Sequence, residues 1–98
     1  MPKARRKSRE KKRWYTYAFL TREGAAAPGH FNFTRHYGQA AIMLEDLAGS
    51  MRDERAHKGA YVLAIWPGEI GEWEALHGNT KPAYYIYQGG SVEKLGKL

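Results

Sequence analysis

A chain of 98 residues with no cysteine is the length of one domain and excludes disulfides and thiolate zinc sites. Its net charge of +6 is unevenly placed. Lys3, Arg5, Arg6, Lys7, Arg9, Lys11, Lys12 and Arg13 face a single acid, Glu10, whereas residues 14–98 hold eight basic and nine acidic side chains.

The sequence therefore divides into a basic N-terminal arm, residues 1–13, and a near-neutral body, residues 14–98, large enough for one modest core. No apolar run approaches the roughly 18 residues of a membrane span. The segment Trp14–Leu20 is too short for a signal peptide, carries two Tyr and a Thr, and has no small-residue cleavage site. Together with the absence of cysteine, this pattern fits a cytoplasmic protein without a membrane partner.

Eleven of the thirteen aromatic residues fall in four short windows: residues 14–20, 31–34, 61–66 and 83–88. Aromatic and β-branched residues suit a pleated surface, so each window predicts a strand. Glu23-Gly24 and Pro28-Gly29 frame the first connection as a long-looped hairpin. Pro67-Gly68 stops the third window. Gly78-Asn79 and Pro82 precede the fourth, and Gly89-Gly90-Ser91 closes it as a plain turn.

Between the second and third windows lies one main helix. Tyr37, Ala40, Ala41, Leu44, Leu47, Ala48, Met51 and Arg55 recur at spacings of three and four, with Glu45, Asp46, Arg52, Asp53 and Glu54 opposite. Thr34 or a neighbour is expected to cap its start and Gly59 to stop it. The order β-β-α-β-β predicts an α+β fold: a small antiparallel sheet of about four strands with one main helix on one face.

Both faces of the predicted strands are apolar. Tyr15, Tyr17 and Phe19 oppose Trp14, Ala18 and Leu20, and Tyr84 and Ile86 oppose Tyr85 and Tyr87. One helix covers one face, so the other calls for a cover: the loop 67–82, the C-terminal segment, a second subunit or a ligand. Trp73 and Leu76 are spaced to dock that loop as an anchor.

The dense run of cations points to function. Such a run neutralises phosphates, releases counterions and binds DNA or RNA with salt-sensitive, sequence-blind affinity. Arg5, Arg6, Lys7, Arg9, Lys11, Lys12 and Arg13 are the expected phosphate contacts, with Tyr15 and Tyr17 as second-rank stacking candidates. The sheet is not an RNA-recognition motif, which needs two helices in β-α-β-β-α-β order.

The alternative expectation is an inhibitor or adaptor that engages a host protein through an aromatic sheet face, with Tyr15, Tyr17, Tyr85, Tyr87 and Trp73 as contacts. That profile is common among proteins of phages and other mobile elements. The target could itself be a nucleic-acid-binding protein whose groove accepts the arm, and a homodimer through the same face is a third arrangement. His30, His36, Glu69, Glu72, Glu74 and His77 match no metal-binding or acid–base spacing, so no metal, cofactor or catalytic residue is expected and the chain reads as non-enzymatic.

Overall fold

The computed structural model describes residues 10–95. Five strands, β1 (Arg13–Leu20), β2 (Thr34–Gly38), β3 (Val62–Pro67), β4 (Tyr84–Tyr87) and β5 (Val92–Lys94), form one sheet in the order β2-β1-β3-β4-β5. All four pairings are antiparallel. Among the described residues three helices accompany it: α1 (Ala40–Arg52), α2 (Glu54–His57) and α3 (Glu72–His77). The expected α+β class holds, with one strand and two short helices more than the sequence pattern disclosed.

The helix side of the sheet carries the main core. Tyr15, Phe19, Leu63, Ile65, Tyr84 and Ile86 meet Met43, Leu47, Ala48 and Met51 of α1. Burying each Leu, Ile, Met or Phe of this layer contributes about 1.5–3 kcal/mol, so the layer is a main source of stability.

The predicted helix face needs correction at both ends. Tyr37 belongs to β2, and Ala41 and Arg55 are exposed, while Met43 is fully enclosed. Thr34 also lies in β2 and does not cap α1.

The helix breaks at Asp53. Gly89 N–H donates to Met51 O at 3.0 Å, taking the carbonyl that Arg55 N–H would otherwise bond. Arg55 N–H turns instead to the Asp53 side chain at 3.0 Å, which caps α2. Gly90 permits this docking: a Cβ there would stand 3.1 Å from Ala48 O and 2.6 Å from Arg52 Nη1. The left-handed pair Lys58 and Gly59 then ends the helical segment, as the glycine predicted.

The second strand begins at Thr34, not Phe31. Asn32 explains the shift: its Oδ1 accepts Phe19 N–H at 2.8 Å and its Nδ2 donates to Ala27 O at 3.0 Å. A side-chain amide thus replaces the ladder where pairing would have started. Phe33 is left-handed (φ 58°), and Phe31 is 96% exposed.

The opposite face is covered from within. Ala18, Leu20, Val62, Ala64 and Trp66 pack beneath Phe33, Ile70, Ala75 and Leu76. Thr16 is buried and fastens this cover: its hydroxyl donates to Gly68 O at 2.8 Å and accepts Ile70 N–H at 3.0 Å. Leu76 docks as expected but Trp73 does not; it stands 69% exposed, because α3 turns Ala75 and Leu76 toward the sheet. Among the described residues no helix is long and apolar enough to cross a membrane.

Candidate nucleic-acid interface

Arg5, Arg6, Lys7 and Arg9 lie outside the described residues. The root of the arm, Glu10 to Arg13, is described, and it is tied to α1. Gln39 Nε2 donates to Glu10 O at 2.8 Å, and Glu10 Oε1 accepts Ala41 N–H at 3.1 Å. Gln39 occupies the N-cap position of α1 but makes no side-chain capping bond there. The one acid of the arm therefore supplies the cap, and its charge complements the helix dipole.

Lys11, Lys12 and Arg13 follow as exposed cations at one end of the sheet. Strand alternation then splits their surroundings into two environments.

On the face away from α1, Trp14 sits directly opposite Tyr37 on β2. Their ring centroids lie 5.2 Å apart and the rings are tilted by 46°. Trp14 is 44% exposed and Tyr37 54%. Arg35, exposed and two residues earlier on the same strand, shares that face. Exposed aromatic rings flanked by cations are the composition of a single-strand stacking platform.

On the helix side, Glu10, Lys11, Arg13, Tyr15, Ala40, Tyr84 and Lys94 line a cavity of about 320 Å³. Lys94 reaches it because β5 pairs Lys94 with Tyr84. Tyr15 is 2% exposed and Tyr84 8%. Burial raises the hydroxyl pKa of Tyr15, helped by neighbouring Tyr84 and Glu10 and opposed by Arg13. Burial, then Glu10, raises that of Tyr84.

These placements redistribute the sequence candidates. The buried Tyr15 ring offers no face to a base or to a partner protein; only its hydroxyl edge borders open space. Tyr17 is half-buried against the core, beside a smaller cleft with His36 and Asp46. Tyr85 and Tyr87 are half-buried in the second-face cluster. The Tyr87 hydroxyl donates to Glu93 Oε1 at 2.6 Å, which pushes its pKa up to about 12.

In the loop before β4, Glu74 Oε2 accepts from Thr80 Oγ1 at 2.9 Å and from Thr80 N–H at 3.1 Å. The Thr80 hydroxyl and then its backbone N–H hold the Glu74 carboxyl below its ordinary range. Among the described residues no three His, Asp or Glu side chains gather as a metal site would require.

Sequence reasoning missed the Trp14–Tyr37 pair because Tyr37 fitted the helical period. The available signal was the alternation Thr34, His36, Gly38 against Arg35, Tyr37. Tested against protein-family models, curated proteins and solved structures, the chain matches none.

Proposed function

We propose that this is a small non-enzymatic protein that binds nucleic acid through its cationic arm, with the Trp14–Tyr37 pair as a stacking surface at the arm's root. The observation that carries the reading is the segregation of charge: half of all Lys and Arg precede Trp14, and the rest of the chain is near neutral. The arm cations contact phosphates, which sets affinity without sequence preference. The exposed ring pair favours single strands, whose unstacked bases reach an aromatic face.

Fluorescence anisotropy with single- and double-stranded oligonucleotides across a salt series tests this. Seven phosphate contacts to a single strand correspond to a log–log salt slope of roughly −5. Replacing Arg5, Arg6, Lys7, Arg9, Lys11, Lys12 and Arg13 with Gln, Glu10 retained, should abolish the affinity. Failure to bind at low salt, or binding indifferent to that replacement, would overturn the reading.

A second reading, an inhibitor or adaptor for a host protein, is favoured by Trp73, 69% exposed on α3, and Phe31, 96% exposed on the loop before β2. In that case the arm docks on an acidic surface of the partner. Trp73→Ala then lowers partner affinity while nucleic-acid titrations stay unchanged.

A further inference from the structure

The helix-side cavity at the arm's root holds donors that the fold leaves unspent. Among the described residues neither the Tyr15 nor the Tyr84 hydroxyl has a hydrogen-bond partner in the protein, although both residues are more than nine-tenths buried. Both hydroxyls border open space instead of being sealed in the core, so among the described residues they stay free to donate to an acceptor bound in the cavity. Among the described residues three cations, Lys11, Arg13 and Lys94, share the lining with one carboxylate, Glu10, an excess of two positive charges. Glu10 is already engaged by Ala41 N–H.

An acceptor for this lining needs several oxygens and about two negative charges. A phosphate monoester presents three peripheral oxygens and, near neutral pH, close to two charges. An internal phosphodiester carries one charge and must leave the cavity on both sides. The tyrosines suit the role, because a phenol is a hydrogen-bond donor near neutral pH, and burial shifts the pKa of both further upward. At about 320 Å³ the space falls at the lower end of small-ligand pockets, which run to roughly 300–1,000 Å³, so a sugar can follow the phosphate inward.

We propose that the cavity framed by Lys11, Arg13, Tyr15, Tyr84 and Lys94 binds a terminal phosphate monoester, carried by a nucleotide or by the end of an oligonucleotide. This goes beyond the arm reading, since the cavity takes the phosphate whether or not the arm grips a strand.

Isothermal titration with AMP, adenosine, and a short oligo-dT bearing either a 5′-phosphate or a 5′-hydroxyl tests it. AMP should bind and adenosine should not. The phosphorylated oligonucleotide should bind roughly tenfold or more tighter than its hydroxyl twin, the scale of a hydrogen bond to a charged group. Tyr15→Phe combined with Tyr84→Phe should erase that increment at unchanged melting temperature. If the double variant misfolds, Lys94→Ala on the exposed β5 replaces it and should weaken AMP several-fold, about the effect of one partly screened ion pair.

Glu10→Gln removes the repelling charge and should tighten AMP binding, a gain that a merely structural Glu10 would not give. Equal binding of AMP and adenosine, or an increment that survives the variants, would overturn the assignment. Oligonucleotides that bind equally with either end, while AMP does not bind, sink the cavity and leave the arm reading intact. AMP binding without oligonucleotide binding does the reverse.

Discussion

The two ends of the sheet each open a cavity, and the larger one is the poorer site. At the end remote from the arm, a space of about 610 Å³ is lined by Thr21, Arg22, Lys58, Tyr61, Tyr87 and Gln88, among others. Among the described residues most of its polar side chains already have a partner, the Tyr61 hydroxyl excepted. Arg22 lies 4.6 Å above the Tyr61 ring, Lys58 Nζ donates to Gly29 O, Gln88 Nε2 donates to Ala60 O, and the Tyr87 hydroxyl holds Glu93. The cavity at the arm's root is half that size, yet two of its hydroxyls are unspent among the described residues and its lining is cationic. Volume locates a space; uncommitted donors indicate what the space is for. Variants at the far end should therefore act on stability, and variants at the root on binding.

The largest expected effect is Asn32→Ala. It strips partners from Phe19 N–H and Ala27 O, at about 1–3 kcal/mol for each polar group left unpaired. A fall in melting temperature of roughly 10 °C or more is expected for a domain of this size. Gly59→Ala follows, at about 1–2 kcal/mol, because its φ of +82° disfavours any Cβ. Denaturant melts measure both.

Glu10→Ala sharpens the contrast, since its carboxylate, unlike the Tyr15 and Tyr84 hydroxyls, bonds the fold among the described residues. It should cost about 1 kcal/mol, as the loss of a helix cap does. Tyr15→Phe and Tyr84→Phe should change stability by less than about 0.5 kcal/mol, because no hydrogen bond within the described residues is lost. A cost above about 1 kcal/mol at either would break the comparison.

The smallest effect is spectroscopic. One tyrosine should titrate near 12 by ultraviolet absorbance, and Glu93→Gln should return it toward 10. The sign follows from the raised pKa. The Tyr87–Glu93 contribution is fully present below pH 10 and is lost as pH rises through 12.

Much of the scaffold was legible because it is written in local pattern. The windows at residues 14–20, 61–66 and 83–88 coincide with β1, β3 and β4 within a residue or two. What escaped was set by contacts between distant segments. The Asn32 amide displaces β2, Gly89 N–H interrupts the helix at Met51, and neither partner can be inferred from periodicity. Strand β5 is three exposed residues, Val92-Glu93-Lys94, with no apolar alternation to announce it.

The candidate site was legible as charge but not as geometry. Lys11, Lys12 and Arg13 stand out in any composition count, whereas Lys94 joins the root only through pairing with Tyr84. In the sequence Tyr15 and Tyr17 stand out for their rings. The fold buries the first ring and leaves its hydroxyl at the cavity, and it exposes Trp14 and Tyr37 instead.

The Glu10–Ala41 and Glu10–Gln39 bonds also decide where this chain can be cut. A truncation starting at Trp14, the boundary that charge alone suggests, removes a helix cap together with the cations. Its lost binding and its lowered melting point would then share one cause. A truncation starting at Glu10 removes five of the eight cations of residues 1–13 and leaves α1 closed. The pair of truncations, compared side by side, separates the charge the protein presents from the fold that presents it.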